Sequence, residues 1–246
     1  MADEQAAVQK ELDFSKALVF GSHPDDAEFT FGGTIARWTS EGRDVVLCVV
    51  TNGAAGSNDP EVERDWLIET RRKEQEAAAQ VLGISEVIWL GYEDGYVEDS
   101  HELRRDMIRE MRRHKPEVVL GPDPSTYYFQ QRYVNHPDHR HTGEAFLAAV
   151  NPGVTTTPLY RAELYDKGFE PHSLKACLLG VTAQPDFFVD ISDHMETKIA
   201  SLIAHDSQVG HWPDMAGRIR DMGAETAKAF GLSYKYAEAL KAFYLG

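Results

Sequence analysis

Up to residue 150, short apolar segments alternate with helical ones, and this alternation restricts the possible folds more than any other feature of the chain. The apolar segments have the length and the β-branched content of buried strands: ALVFGS, DVVLCVVT, EVIWLG and PEVVLG. Helical patterns follow them in turn, over GGTIARWTSEG, from about Val62 to Leu82, over SHELRRDMIREMRRH, and from near His139. Repeated βα units predict an α/β fold with a mainly parallel sheet and helices on both of its faces.

The regular order loosens after the stretch NPGVTTTP at residues 151–158. Beyond it, RAELYD and FFVDIS are typical of strands, a helix is expected near 193–206, and the remainder is mixed. We predict a single domain over residues 1–246, with a core at 16–150 and a smaller, mixed C-terminal subdomain at 159–246.

The charge of the chain limits its partners. Acidic residues give a formal net charge of −15, and no basic run occurs, which argues against nucleic acid and anionic membranes. The longest purely apolar run, VVLCVV, is far shorter than the roughly 20 residues of a membrane helix. The first residues are polar and acidic, unlike a signal peptide, and Cys48 and Cys177 lie in apolar stretches typical of a core. We therefore expect a cytoplasmic protein.

Polar stretches follow each of the four predicted strands. In open α/β sheets ligands bind at the carboxyl ends of the strands, where the connecting loops converge. The stretches are SHPDDAE, TNGAAGSNDP, GYEDG and GPDPSTYYFQQRYVNHPDHRH. We expect them to share one crevice. Two of them contain the same motif, His-Pro-Asp, followed by Asp at 23–26 and by His at 136–139.

The two motifs together indicate a metal site. If the turn after the first strand is helical, His23 and Asp26 face the same way, and His139 joins them from the other loop. Two imidazoles and one carboxylate form a set that holds a catalytic zinc with an open position, although iron or manganese also accept it. The alternative for the first motif alone is helix capping by Ser22, Asp25 or Asp26.

These motifs also carry a family resemblance. With HPDDAE at 23–28 and HPDHRHTG at 136–143, the chain resembles the PIG-L or LmbE-like superfamily of zinc-dependent N-deacetylases. Further matches run along the chain: FGGTIA, TNGAAGS, RRKEQEAAAQVLG, LGYEDG, VDIS and AHDSQ. The resemblance covers nearly the full length, and it implies a Rossmann-like fold and a homo-oligomer.

The resemblance implies a role for each motif residue. The implied zinc ligands are His23, Asp26 and His139. Asp25 takes the place of the general base that deprotonates the zinc-bound water. His136 takes that of the histidine that stabilises the oxyanion and protonates the leaving amine, with Asp138 as its orienting partner.

The resemblance further implies substrate contacts. Arg71 and Asp94 match family positions at the substrate pocket. Some members place a tyrosine two residues before the first histidine of the second motif, where this chain has Val134, so the neighbouring Tyr133 is the candidate here. For Arg71 the residues alone leave an alternative, in which it pairs with Glu74 at the edge of one helix.

Amide hydrolysis accounts for these residue types independently. To hydrolyse an unactivated amide, a metal ion polarises the carbonyl and lowers the pKa of a bound water towards about 7. A base takes the proton of that water, and a hydrogen-bond donor stabilises the oxyanion and protonates the amine. We therefore predict a zinc-dependent amidase that releases acetate from an N-acetylglucosamine-type sugar or conjugate. The alternatives are an amidase for a thiol conjugate or other small amide, and a metal- or sugar-binding module without turnover. Asp25 argues against the module, which would have no use for a second carboxylate beside Asp26.

Overall fold

The computed structural model describes residues 12–129 and 133–246 and contains one seven-stranded sheet. The strands, in chain order, are β1 (Lys16–Gly21), β2 (Asp44–Thr51), β3 (Glu86–Tyr92), β4 (Val118–Pro122), β5 (Tyr128–Phe129), β6 (Tyr133–Val134), β7 (Ala176–Gly180), β8 (Phe187–Asp190) and β9 (Ala237–Tyr244). The large sheet has the order β3-β2-β1-β4-β7-β9-β8, and β5 pairs with β6 as a separate hairpin. The acidic N-terminal segment, residues 1–11, lies outside the described residues.

Helices cover both faces of this sheet, which confirms the predicted α/β architecture. They are α1 (Asp26–Ser40), α2 (Arg64–Leu82), α3 (His101–His114), α4 (Pro137–Ala148), α5 (Met195–Ile203), α6 (Asp206–Val209) and α7 (Met215–Ala229). Helices α1, α5 and α7 pack into one hydrophobic core, and α3 and α4 pack into the other. No helix among the described residues is both long enough and apolar enough to cross a bilayer.

Strand β1 shows why the first four strands read as continuous apolar runs. Its side chains alternate between the two cores, with Ala17 and Val19 on one face and Leu18 and Phe20 on the other. All four are fully buried, as in a parallel sheet that helices cover on both sides. Strand β1 pairs in parallel with both β2 and β4, so the loops that follow these strands meet at one edge.

The C-terminal part completes the same sheet. Strand β7 runs parallel to β4, and β9 lies antiparallel between β7 and β8. The strand predicted at FFVDIS is confirmed as β8. The border predicted at residues 151–158 stays a prediction.

The strand predicted at RAELYD is wrong. The segment forms turns and a short 3-10 helix, Tyr165–Lys167, which Gly168 ends with a φ of 89°. Of these six residues only Leu164 is buried, and its N–H donates to the carbonyl of Tyr160. A segment with alternating apolar residues does not form a strand when it has no core to cover and no neighbouring strand to pair with. Its backbone N–H and C=O groups then find their partners in local turns.

Two helices begin earlier than their patterns indicate. Helix α1 begins at Asp26 and α4 begins at Pro137, so both motifs lie at helix N-termini. Pro137 suits the first helical turn because its missing N–H has no partner there. The predicted crevice therefore lies at the carboxyl ends of β1 to β4, with two helix N-termini directed into it.

Candidate functional site

His23, Asp26 and His139 bring three donor atoms together at the carboxyl end of β1. The Nδ1 of His23 lies 3.2 Å from the Nε2 of His139. The carboxylate of Asp26 lies 3.4 Å from the first of these nitrogens and 3.1 Å from the second. The structure thus assembles the set that the two motifs predict.

The outer nitrogens of both imidazoles face acceptors, which fixes the tautomers. The Nε2 of His23 lies 3.1 Å from the Oδ1 of Asp94 and 3.3 Å from the Oδ2 of Asp138. The Nδ1 of His139 lies 3.0 Å from the Oδ1 of Asn135. Because each outer nitrogen carries the hydrogen that these oxygens accept, the inner nitrogens direct lone pairs at a common point.

The geometry and charge of this cluster fit a cation. A tetrahedral ion with bonds of about 2.0 Å separates its ligand atoms by about 3.3 Å, close to the distances between these donor atoms. Two lone pairs 3.2 Å apart repel each other unless a positive charge, either a proton or a metal ion, lies between them. Burial disfavours protonation of His23, yet Asp26, Asp138 and Asp94 raise its pKa well above the usual value. The surroundings of His23 therefore favour positive charge.

Asp25 occupies the N-cap position of α1 in a strained backbone conformation. Its φ of 99° lies in the left-handed region, and among the described residues its carboxylate accepts no capping hydrogen bond. Its N–H donates to the Oε1 of Gln75 at 3.0 Å, and its Oδ2 lies 3.5 Å from the Nη2 of Arg71. Burial and the charge of Asp26 raise the pKa of Asp25 to about 7, although Arg71 opposes the shift. Capping, the alternative for this residue, therefore does not describe its contacts.

A chain of buried polar groups lies behind Asp25. Gln75, which holds the backbone of Asp25, donates through Nε2 to the Oε1 of Glu28 at 2.6 Å. The other oxygen of Glu28 lies 3.5 Å from the Nε2 of His205, and both residues are fully buried. Strained conformations persist where surrounding contacts hold them in place, and this series of buried polar side chains supplies such contacts for Asp25.

Arg71 is buried beside the same turn. Its guanidinium donates to the carbonyls of Pro24 at 2.7 Å and Gly53 at 3.0 Å, and its side chain is 4% exposed. Glu74, its alternative partner, instead accepts hydrogen bonds from the N–H and hydroxyl of Ser207. Arg71 therefore holds the loops after β1 and β2 together at the pocket.

The carboxylates of Asp94 and Asp138 also serve the loops. Asp94 accepts from the N–H of Ala55 at 3.0 Å while it faces His23. Asp138 accepts from the N–H groups of Gly95 at 2.7 Å and Val97 at 3.3 Å. Each carboxylate thus joins a loop of the crevice to a candidate ligand.

The contacts of Asp138 differ from the role that the resemblance implies. Its carboxylate lies 4.0 Å from the Nδ1 of His136, beyond hydrogen-bond distance, and bonds to His23 instead. The backbone N–H of Asp138 donates to the Nδ1 of His136 at 3.2 Å, and this contact orients the ring. The hydrogen of neutral His136 is then on Nε2. Burial and the charge of His23 lower the pKa of His136, which favours this neutral form.

Tyr133 lies beside His139 at the edge of the crevice. Its hydroxyl is 3.5 Å from the Nδ1 of His139 and 3.4 Å from the Oδ1 of Asn135. The residue is 42% exposed. The structure therefore brings all nine residues predicted for the site to one edge of the sheet: His23, Asp25, Asp26, Arg71, Asp94, Tyr133, His136, Asp138 and His139.

Sequence reasoning did not assign roles to some residues around the site. Asn135 orients His139, and Gln75 and Glu28 support the turn at Asp25. The available signals were weak, since Glu28 falls within the first motif and Asn135 directly precedes the second. Gln75 lies one helical turn after Arg71 on the same face of α2, a spacing that predicts a shared target.

Comparisons with known proteins agree with this geometry. A family model described as GlcNAc-PI de-N-acetylase matches residues 18–150. These residues run from β1 to just past the end of α4, and they contain every residue predicted for the site. The match and the site therefore fall on the same part of the chain.

Individual relatives extend the match over most of the chain. Diacetylchitobiose deacetylase from Thermococcus kodakarensis is 33% identical over 93% of this chain and 83% of its own length. Mycothiol S-conjugate amidase from Streptomyces coelicolor is 28% identical over 63% of this chain and 58% of its own length. The solved structure of N,N'-diacetylchitobiose deacetylase from Pyrococcus horikoshii, complexed with its inhibitor, has a TM-score of 0.85 and 30% identity, covering 94% of this chain and 84% of that one.

Proposed function

Because the chain belongs to the GlcNAc-PI de-N-acetylase family, we propose that it removes the acetyl group from an N-acetylated amino sugar or its conjugate. The family match confirms the resemblance that the two motifs indicate. The chain is a hydrolase of amide C–N bonds, which excludes the module without turnover. The observation that carries the proposal is the convergence of His23, Asp26 and His139 next to Asp25, whose carboxylate is close enough for the charges of Asp26 and His23 to shift its pKa.

Zinc is the cofactor that we assign to this set. His23, Asp26 and His139 would hold it, since two imidazole nitrogens and one carboxylate oxygen form a catalytic zinc set. When bound, such an ion polarises the amide carbonyl and makes a water molecule more acidic. Iron and manganese accept the same ligands and are tested beside it.

Asp25 is the general base of the proposed reaction. Its carboxylate borders the ligand set, and the pKa of about 7 lets it accept a proton from water near neutral pH. Gln75 accepts a hydrogen bond from the backbone N–H of Asp25, and the Nη2 of Arg71 lies 3.5 Å from its Oδ2, so the two contacts hold this residue at the crevice. The attacking water thus loses its proton to the Oδ atoms of Asp25.

His136 acts at the other side of the reacting carbonyl. Its ring centroid lies 4.9 Å from that of His23, and its side chain is 43% exposed. Its Nε2–H donates to the oxygen on which negative charge develops. Donation to the departing amine requires the doubly protonated ring, which His136 reaches by taking up the proton that Asp25 removed from the water. The amine then leaves toward the open side of the crevice.

A panel of amides tests the proposal. We expect free amine from N-acetylglucosamine-type substrates such as N,N'-diacetylchitobiose. Dialysis against a chelator should abolish this release, and zinc should restore it more fully than iron or manganese. Full activity in protein shown by elemental analysis to be free of metal would contradict the proposed role of the ion.

A thiol conjugate is the alternative substrate class. The similarity to mycothiol S-conjugate amidase favours it, although the match spans only 58% of that protein. Both reactions cleave an amide with the same groups, so the panel includes an N-acylated thiol conjugate. Amine release from that conjugate alone would assign the chain to the alternative.

We further propose that the protein works in the cytoplasm on a small-molecule substrate, as a homo-oligomer. The net charge of −15 supports the expectation that neither nucleic acid nor an anionic membrane is a partner. The oligomer rests on family membership, and light scattering at micromolar concentration tests it. A monomer under those conditions would contradict it.

A further inference from the structure

A small apolar cavity opens beside the candidate metal ligands. The space within it and in front of its open mouth amounts to about 270 Å³, and Asp26 and His139 form part of its wall. The remaining wall includes Thr30 and Phe31 of α1 and Val181, which follows β7. Of the described residues that act on protons in the proposed reaction, Asp25 and His136, neither lines it. The cavity is therefore separate from the groups that handle protons, yet it borders the ligand set.

The floor of this cavity is rigid. Phe31, on the buried face of α1, is 2% exposed and packs in the core. The backbone of Gly180 lies so close to it that a Cβ there would be 2.7 Å from the ring of Phe31 and 2.2 Å from the Cγ2 of Thr30. Because close-packed walls of this kind cannot recede, the depth available to a ligand is fixed.

Val181 completes the wall in an unusual conformation. Its φ of 54° lies in the left-handed region, which is a true outlier for a β-branched residue. Such conformations cluster at ligand-binding sites, where surrounding structure holds them. The amide of the next residue but one, Ala183, donates to the hydroxyl of Thr126 at 3.1 Å and helps to fix this loop. The isopropyl group of Val181 is thereby held at the cavity.

We propose that this cavity receives the methyl group of the acyl chain, and that Thr30, Phe31 and Val181 restrict the enzyme to short acyl groups. The inference rests on the proposed function. A carbonyl carbon next to Asp26 and His139 has two substituents to place. The amine side needs the exposed His136, so the alkyl side takes the apolar cavity between α1 and the loop after β7.

The discrimination expected from such a pocket is large enough to measure. One methylene too many in a fixed apolar pocket costs roughly 10- to 200-fold in kcat/KM. The wild-type protein should therefore hydrolyse N-acetylglucosamine at least about tenfold faster, by kcat/KM, than N-propionylglucosamine. N-Butyrylglucosamine should be slower again, and N-formylglucosamine should remain a substrate.

Two variants enlarge the cavity from different elements. Val181→Ala and Thr30→Ala should each raise the ratio of propionyl to acetyl kcat/KM by about tenfold or more. Val81→Ala, at a half-exposed position on α2, is the matched control and should leave this ratio unchanged. Metal content and thermal melting of each variant check that it is folded. Because the readout is a ratio within one protein, a partial loss of folded enzyme does not change it.

The outcomes separate this inference from the proposed function. Equal kcat/KM of the wild-type protein on the acetyl, propionyl and butyryl compounds would overturn the inference and leave the deacetylase function standing. An unchanged ratio in both Val181→Ala and Thr30→Ala would do the same. Failure of the wild-type protein, loaded with metal, on every N-acylglucosamine and also on N,N'-diacetylchitobiose would overturn the proposed function and this inference with it.

Discussion

The turns at 23–26 and 136–139 have nearly the same sequence, His-Pro-Asp-Asp and His-Pro-Asp-His, yet they place their residues differently. In the first, the helix begins at the fourth residue, Asp26, and the third residue remains outside it with a φ of 99°. In the second, the helix begins at the second residue, Pro137, and the third residue lies in its first turn.

This difference in helix start separates the roles of two aspartates at the same motif position. Asp25 stands outside α1 and directs its carboxylate to the crevice beside Arg71. Asp138 is fully buried within α4 and directs its carboxylate to His23 and to backbone N–H groups. The fourth residues, Asp26 and His139, face the same point in both turns. Residue type and spacing therefore bring the candidate metal ligands together, whereas the helix start decides where the carboxylate of the neighbouring aspartate lies.

Replacing the fourth residue of either turn, which is a candidate metal ligand in both, should have the largest effect. Asp26→Ala and His139→Ala each leave two ligands, so both should lose the metal ion and the activity together. Elemental analysis and amine release measure the two properties on the same sample. Full metal content in either variant would contradict the assignment of the fourth residues as ligands.

The third position of the first turn should give the next largest effect. Asp25→Asn keeps the shape and all three ligands, so the metal content should stay at the wild-type level. It cannot accept the proton of the attacking water, so kcat should fall roughly 10²- to 10⁴-fold. A metal-free Asp25→Asn beside a metal-loaded Asp26→Ala would show that the roles of the two neighbours are reversed.

The first position of the second turn is the next test. Unlike His23, the equivalent His136 faces the open side of the crevice, so His136→Ala should keep the metal. Its kcat should fall by about 100-fold, the effect of losing one oxyanion donor. Added imidazole should recover part of the rate, measured as a concentration-dependent increase in kcat. His23→Ala should show no such recovery, because it loses a ligand.

The third position of the second turn should act through the ligand that it holds. Asp138→Asn disturbs the hydrogen bond to the Nε2 of His23, so the metal affinity should fall about 10- to 100-fold. Competition with a chromogenic chelator measures it. Asp123→Asn is the control, because Asp123 is equally buried but bonds to Ser125 in the loop after β4. Equal losses of affinity in both variants would indicate general damage.

The smallest expected effect concerns backbone strain. Asp25→Gly removes a side chain from a left-handed position and should raise the free energy of unfolding of the metal-free protein by about 1 kcal/mol. His136→Gly, at a φ of −57°, should lower it. Urea unfolding of both variants, with Asp25→Asn as the control for charge, measures the difference. A less stable Asp25→Gly would show that the conformation is not strained.

The sequence predicted the layered fold because strands buried on both faces, such as β1, carry their own apolar pattern. It failed at RAELYD, where alternation is present but no neighbouring strand accepts the backbone. It also placed the bounds of α2 and α3 and the start of α4 within about two residues, but not the start of α1 at Asp26. That start depends on contacts from Gln75 and Arg71, which belong to another helix.

The site residues also divide into those that a local sequence pattern predicts and those whose contacts depend on the fold. The ligand set is readable because both motifs are short and each lies at a helix start. The first follows β1 directly, and the second follows β4 after the β5–β6 hairpin. Their catalytic roles stay predictions, as does the identity of the metal. The structure brings the residues together and assigns their contacts, such as that of the Asp138 carboxylate with His23 rather than with His136.

The sequence by itself thus determined the α/β architecture, the family and the set of candidate metal ligands, since all three are written in local patterns of a few residues. Only the tertiary structure decided which groups support them: Gln75 and Glu28 behind Asp25, Asn135 beside His139, and Val181 at the cavity. Glu28 and His205 are far apart in the chain and meet only in the folded core. Such contacts depend on how helices and loops pack against one another, and packing is a property of the whole fold and not of any one segment.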